Sequence, residues 1–226
     1  MKAKIIILKN NALSERVAKD CIEQAARFGI SVEIFNAING LEYQQHLEKL
    51  NIRPLKKFKK GKPGVYGCFL SHYYLWKECA ESKEPYIILE HDGFLIKSLP
   101  GNILDQFDDV LKLESENPYR STYEDRLEIT KDNNLTYNIV EPYPDMNNGA
   151  GRYSVGAYAY IIKPQAADKL ITWIDKNGFL PADQQLGSYA ITLHECKPSL
   201  ARLHHFYIKD GNIKSMSTTM NTELLS

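Results

Sequence analysis

The chain has 226 residues, 43% of them apolar, and 28 basic against 28 acidic side chains, so its formal charge at neutral pH is zero. That length and apolar share suit one α/β domain, or two small ones, with a sizeable core. Balanced charge excludes a global attraction to nucleic acid or anionic lipid and leaves only local patches. No apolar run approaches membrane-spanning length, and the opening Met1–Lys9 stretch is too short and too soon charged for a signal peptide. The four cysteines, Cys21, Cys68, Cys79 and Cys196, contain no Cys-x-x-Cys pair. Free buried thiols, a reducing cytosolic compartment and at most peripheral membrane contact are expected.

Ala3 to Leu8 is an unbroken β-branched run and reads as a buried first strand. Ser14 is placed to cap a helix running to Phe28, with Gly29 as its stop and Val17, Cys21, Ala25 and Phe28 on its inner face. Ile30 to Phe35 reads as a second strand and Asn39-Gly40 as a turn, a βαβ opening that begins a parallel sheet. Arg16 falls in the first turn of the helix, near the carboxyl edge of that sheet. A helix N-terminus and a guanidinium both favour phosphate, although an arginine there also serves simply as a solvated helix residue. Leu41 to Leu50 is expected to be helical.

The basic run from Arg53 to Pro63 lies between prolines and breaks periodicity, so it reads as a loop: either a solvated face or a surface that meets anions. Gly64 to Ala80 is the next helix, with Phe69, His72, Trp76 and Cys79 on one face. His72 has two readings, a core histidine bonded to a backbone carbonyl or a group that orients nearby carboxylates.

Tyr86 to Leu89 is a short apolar run, too short for a helix, that ends on Glu90 and Asp92 with Gly93 behind them. A buried strand ending in acids puts charge at the carboxyl edge of a sheet, where open α/β sheets bind ligands. On extended chain Glu90 and Asp92 point the same way, an arrangement suited to a hard divalent cation. The bland alternative is a strand that ends in a polar turn.

Beyond Asp92 the pattern predicts a helix near 102–113, short strands near 126–129 and 135–140, and a Gly-rich turn at Asn147 to Tyr153. A tyrosine-rich strand follows from Ser154 to Ile162. Pro164 then opens a helix with Ala167, Leu170, Ile171 and Ile174 on its face. Asp183, after Pro181-Ala182, opens another helix, as a cap or as a carboxylate aimed into a cleft.

Three of these blocks carry a resemblance. Gly64-Val65-Tyr66-Gly67-Cys68-Phe69-Leu70-Ser71-His72 with Ile88-Leu89-Glu90-His91-Asp92 resembles glycosyltransferase family 25, which has a Gly-Cys-x-x-Ser-His helix followed by a Leu-Glu-Asp-Asp strand end. Gly156 to Leu170 is similar to the family's second block, with Ala157, Ala159 and Ala166 replacing Thr, Gly and Gly. Pro181-Ala182-Asp183-Gln184-Gln185-Leu186 matches its Pro-x-Asp-x-x-Leu. The opening strand, turn and helix, and Ala37-Ile38-Asn39-Gly40, fit as well.

The family includes bacterial lipooligosaccharide galactosyltransferases and collagen hydroxylysine galactosyltransferases. The resemblance implies a GT-A-like α/β fold, with one domain over 1–226 and a mostly parallel, helix-flanked sheet. Residues 1–100 would form the nucleotide-sugar and metal half, and 101–226 the acceptor half. It also implies a nucleotide-sugar donor such as a UDP-sugar, a divalent ion (Mn²⁺ or Mg²⁺) and inversion at the anomeric carbon.

On that analogy Asp92 and Glu90 hold the ion. Arg16, Asn36, Ala37 and Glu90 meet the donor, Asp183 is the general base, and His204 or His205 lies near the metal. His91 stands where the family has an acid, and Gly93 where it has an apolar residue. A hydroxyl on a saccharide, as in lipopolysaccharide biosynthesis, is the expected acceptor. A hydroxymethylated base in viral DNA, contacted through the 53–62 loop, and a non-catalytic nucleotide-sugar-binding relative are the alternatives.

Overall fold

The computed structural model describes residues 1–55, 62–114, 138–140, 156–188, 190–197, 199–204, 208–209 and 212–213. The opening run forms β1 (Lys2–Ile7), followed by α1 (Ala12–Arg27) and β2 (Val32–Asn36). β1 pairs in parallel with β2 on one side and with β3 (Tyr86–Glu90) on the other. The helix starts earlier than Ser14. Asn11 is the cap, its side chain accepting from the Ser14 amide at 2.9 Å, and the Ser14 hydroxyl accepts from the Leu8 amide at 3.0 Å. Ser14 thus ties the end of β1 to the helix instead of opening it.

A 3₁₀ turn (Gly40–Glu42) leads into α2 (Tyr43–Leu50), and α3 (Pro63–Ser82) carries the long apolar face expected for Gly64 to Ala80. β4 (Gly93–Leu95) follows β3 after a two-residue turn. The helix expected near 102–113 does not form. A 3₁₀ turn (Ile103–Asp105) is followed by β5 (Val110–Lys112). The Asp109 carboxylate stops any helix there, because it accepts from the Lys169 ammonium at 2.8 Å and from the Thr192 amide at 2.9 Å. Val110 to Lys112 are then consumed by strand pairing on both sides, a case of tertiary context overriding local propensity.

β6 (Asn138–Val140) lies inside the strand expected at 135–140; the stretch at 126–129 lies outside the described residues. The tyrosine-rich run contributes β7 (Ala159–Ile162), shorter than Ser154 to Ile162. Then come α4 (Pro164–Asn177), α5 (Ala182–Gly187), β8 (Leu193–Lys197) and β9 (Ala201–Leu203).

Among the described residues seven strands make the main sheet, in the order β2-β1-β3-β7-β5-β8-β6. β2, β1, β3, β5 and β8 share one direction, and β7 and β6 run against it. The α/β, GT-A-like arrangement read from the sequence is the one adopted, and its mostly parallel sheet includes a reversed strand at the centre. Along each strand side chains alternate between faces. Ile6, Ile88, Tyr160 and Ile162 join α3 and α4 in one core, while Ile5, Ile7, Ile87, Leu89 and Ile161 join α1 in the other. Of the thiols, Cys21, Cys79 and Cys196 are free and buried, and Cys68 is free and half-buried.

Two of the glycines that set close backbone approaches border the end of the sheet. A Cβ on Gly67 would come within 2.7 Å of the Ile38 carbonyl, so α3 lies directly against the chain leaving β2. A Cβ on Gly93 would strike the Tyr158 carbonyl. Gly93, which stands where the family has an apolar residue, therefore tightens the join between the end of β3 and the start of β7. Gly93→Ala is expected to destabilise the fold by about 1–3 kcal/mol through overpacking against backbone that cannot yield. Denaturant midpoints of the two proteins check this, and equal midpoints would show that the join tolerates a methyl group.

Candidate active site

The carboxyl ends of β1, β2 and β3 and the first turns of α3 surround a pocket lined by Ile6, Leu8, Ala37, Ile38, Gly40, Gly64, Gly67, Cys68, Ser71, His72, Glu90 and His91. This is the crevice that parallel α/β topology leaves outside its strand ends. Its wall is held by Ser71, whose hydroxyl donates to the Gly67 carbonyl at 2.7 Å and accepts from the Ile38 amide at 2.9 Å. The N-terminal turn of α3, with Pro63 at its first position, borders the opening.

Glu90 ends β3 on the α3 side. Its Oε1 lies 3.2 Å from His72 Nε2 and accepts from the Cys68 thiol at 3.8 Å. His72 Nδ1 lies 2.8 Å from the Tyr160 hydroxyl, which accepts from Trp76 Nε1 at 2.9 Å. Indole nitrogen only donates, so the Tyr160 proton is free to go to His72 Nδ1, which leaves Nε2–H aimed at Glu90. His72 is fully buried and both its ring nitrogens are spent on side chains. Of its two readings, the carboxylate-orienting one is what the structure shows. Burial by itself would raise the Glu90 carboxyl, but the His72 hydrogen bond and charge, with the charge of His91, outweigh it and hold Glu90 below the usual carboxylate range.

Asp92 does not stand beside Glu90 as a same-face neighbour. The strand stops at Glu90 and the chain turns through His91 and Asp92. Asp92 is 6% exposed, and its Oδ1 has no hydrogen-bond partner. Burial, then the nearby Glu90 charge, push its carboxyl up, partly offset by His91. Asp92 also approaches α1 closely enough that, after burial, its charge is the next cause raising the Cys21 thiol. His204 joins this side: its amide donates to the Asp92 carbonyl at 2.7 Å and its ring faces Asp20 at 3.5 Å. Burial pushes the His204 imidazole down to about 4, with Asp20 opposing and Arg202 and Arg16 assisting. His205 lies outside the described residues, as do positions 56–61 of the basic run and the turn at 147–153.

Asp183, from the other half of the chain, lies outside the pocket lining but near enough for its charge to act on Cys68 and for Glu90 to act on it. It is not the cap of α5, a position held by Pro181. Its Oδ1 accepts from the Gln184 amide at 2.8 Å and its Oδ2 from the Gly156 amide at 3.4 Å. Burial raises its carboxyl, the Gln184 amide and the Lys112 charge pull it back, and Glu90 pushes it up again. The Glu90 charge therefore acts on Asp183. Of the residues named from sequence, Ala37, Glu90 and His91 line the pocket. Asn36 and Arg16 are exposed and outside its lining, with Arg16 on the α1 side near His204.

The sequence reading missed two groups. Cys68 sits one helical turn before His72, a spacing that puts both on one face. Lys112 and Glu114 were hidden by the expected helix. They lie 3.5 Å apart, 2% and 1% exposed, next to Glu195.

A sequence profile described as "Glycosyltransferase family 25 (LPS biosynthesis protein)" matches residues 4–186. The chain belongs to glycosyltransferase family 25. The match spans β1 through α5 and takes in Glu90, Asp92 and Asp183. Membership makes glycosyltransfer from a nucleotide-sugar donor the family-level activity. No curated protein matches the chain in sequence. Two crystal structures are similar in fold. One, a glycosyltransferase involved in the glycosylation of the major capsid of PBCV-1, is 12% identical with a TM-score of 0.37, and the alignment covers 86% of this chain and 82% of that one. The other, apo mouse xyloside xylosyltransferase 1, is 11% identical with a TM-score of 0.41, covering 82% and 80%. Among the described residues no helix is long and apolar enough to cross a membrane.

The buried cluster yields a test of the site's electrostatics. Burial pushes the Glu114 carboxyl from 4.5 up to about 8, with Lys112 opposing and Glu195 and Glu90 assisting. A carboxyl raised on folding binds protons more tightly in the folded state, so its contribution is full below the unfolded value and falls as pH rises towards 8. The Glu114 contribution to stability should therefore fall between about pH 5 and pH 8, so the stability difference between wild type and Glu114→Gln should shift steadily over that window. Urea unfolding at a series of pH values measures both. Parallel profiles would remove Glu114 as the source.

Proposed function

We propose that this chain transfers a hexose, galactose or glucose, from a UDP-sugar to a saccharide hydroxyl with inversion, using the cleft between Glu90 and Asp183. The supporting observation is that Asp183, in the chain's second half, has its carboxylate held by two backbone amides and close enough to Glu90, which lines the pocket, for the two charges to act on each other. The pocket at the ends of β1–β3 has the position that α/β sheets give to nucleotides. Ala37 and Ile38 would meet the base and ribose, Glu90 a ribose hydroxyl or an ion-bound water, and the α3 N-terminus the diphosphate, whose charge suits a helix start. Arg16 is exposed and outside that lining, so its part would be at the outer edge, with phosphates that approach from the α1 side.

The donor set fits a hard divalent ion. Asp92 Oδ1 is a buried carboxylate oxygen without a partner, which a cation would satisfy. Asp92 would hold Mn²⁺ or Mg²⁺ directly, with Glu90 assisting and His91 occupying the family's middle acidic position. When bound, such an ion neutralises the charge of the departing diphosphate. Asp183 accepts the proton of the acceptor hydroxyl as that oxygen attacks the anomeric carbon from the face opposite the leaving group. Its raised carboxyl moves towards the working pH, which favours a general base. The amides of Gln184 and Gly156 hold the carboxylate in place as it does so.

Asp183→Asn should keep the affinity for UDP-sugar and lower kcat by about 10²–10⁴-fold. Nucleotide binding by calorimetry and turnover by product chromatography separate the two effects. A variant that loses stability yet keeps turnover per folded molecule would make Asp183 structural. Asp92→Ala should remove the part of donor binding that depends on Mn²⁺ while the thermal transition remains cooperative. Donor binding that is equal with Mn²⁺ and with chelator, in both wild type and variant, would refute the ion's part.

A further inference from the structure

Cys68, His72 and Glu90 have one ligand atom each within 4.8 Å of the others. We infer that they form a binding site for a thiophilic divalent cation, Zn²⁺ being the natural occupant, distinct from the hard-ion position at Asp92. Cys68 and His72 are four residues apart on α3 and so project together. Glu90 meets them from the end of β3, its Oε1 3.2 Å from His72 Nε2 and 3.8 Å from Cys68 Sγ.

Zinc bonds of about 2.0 Å to nitrogen or oxygen and about 2.3 Å to sulfur give tetrahedral edges of roughly 3.3 Å between N and O and roughly 3.5 Å between O and S. The observed separations depart from those edges by only about 0.1 and 0.3 Å. Both edges at Glu90 therefore already fit an ion, and the third, between Cys68 Sγ and His72 Nε2, lies within 4.8 Å against roughly 3.5 Å for a tetrahedral site.

The outer contacts support the same reading. A metal-bound histidine uses one ring nitrogen on the ion and needs a partner for the other. Here the Tyr160 hydroxyl, 2.8 Å from Nδ1 and itself held by Trp76, fixes the ring so that Nε2 faces Glu90. With an ion on Nε2 the ring proton moves to Nδ1 and is accepted by the Tyr160 oxygen. All three ligands line the pocket, so a fourth coordination position opens to solvent. Thiolate and imidazole together select zinc-like ions over Mg²⁺. Uptake replaces the Cys68 thiol proton, which leaves to solvent. With no ion present, burial first and then the Glu90 and Asp183 charges keep that thiol protonated.

A filled site withdraws Glu90 and narrows the pocket, so Zn²⁺ should compete with the nucleotide sugar. That consequence rests on the function proposed above, whereas metal binding does not. The test therefore begins without substrate, on full-length protein stripped by chelator. Adding Co²⁺ should give a near-ultraviolet thiolate charge-transfer band and strong visible bands of tetrahedral cobalt, and Zn²⁺ should bleach both at one equivalent.

Cys68→Ser should lack the charge-transfer band while retaining the wild-type circular dichroism. Glu90→Gln should weaken cobalt binding. Tyr160→Phe should lower Zn²⁺ affinity by about 10–100-fold. Asp92→Asn should leave the cobalt spectrum unchanged. No charge-transfer band in folded wild type, a band that survives Cys68→Ser, or a band lost in Asp92→Asn would each overturn the assignment. Zinc inhibition that is competitive with donor in wild type and absent in Cys68→Ser then tests the consequence. If no transfer is found at all, the cobalt spectra still decide the site.

Discussion

The antiparallel pairing of β7 with β3 is the constraint on which the rest of this structure depends. Tyr86 to Leu89 pair with Ile162 to Ala159, so the beginning of β7 lies at the end of β3. The Glu90 amide donates to the Tyr158 carbonyl at 2.9 Å, and Gly93 passes against the same carbonyl. Gly156, just upstream, is held by Asp183. A parallel β7 would carry its first residues to the opposite edge of the sheet and Asp183's anchor with them. The reversal of β7 is what brings two distant carboxylates, Glu90 and Asp183, close enough for their charges to act on each other.

That strand also supplies the buried polar chain beneath the site. Tyr160 faces α3, where its hydroxyl meets both Trp76 and His72. Such a network is costly if any member is unsatisfied and rigid if all are satisfied. Here each contact passes orientation forward, from an indole fixed in the core to a carboxylate 28% exposed at the pocket. The same residues give α3 an unusual composition, apolar along most of its length and polar where it meets β3. Two departures of this chain from its family's pattern, His91 and Gly93, fall at the end of β3. His91 puts a cation-capable ring between two carboxylates, and Gly93 removes a side chain where backbone needs the space.

Charge is distributed unevenly around the sheet's carboxyl edge. The α3 side holds Glu90 with neutralising histidines. The α1 side holds Asp92 and Asp20 with His204 and Arg16. The inner side holds Lys112 among Glu114, Glu195 and Asp183. Each carboxylate has a cationic or imidazole neighbour, and the direction in which its proton affinity moves depends on whether that neighbour outweighs burial. It does for Glu90 and does not for Asp92, Glu114 or Asp183.

The amino-acid sequence by itself determined the elements whose signal is local. β1, α1, α2, α3, β3 and α4 follow from β-branched runs, from apolar residues at helical spacing and from Pro164 at a helix start. The family follows from separated blocks in order, and Glu90 from its place at the end of a buried strand. Tertiary structure decided what depends on pairing and approach. β5 replaced an expected helix because two neighbouring strands and the Asp109 contacts claim Val110 to Lys112, a demand that no local window contains. The reversal of β7 is invisible in its sequence, since a short buried strand reads the same in either direction. Only the fold separates Asp92 from Glu90 by turning the chain after β3, and only the fold brings Cys68 and His72 to Glu90. Strand ends and helix faces are written in one dimension, whereas which end meets which face is set by hydrogen-bond ladders between residues far apart in the chain.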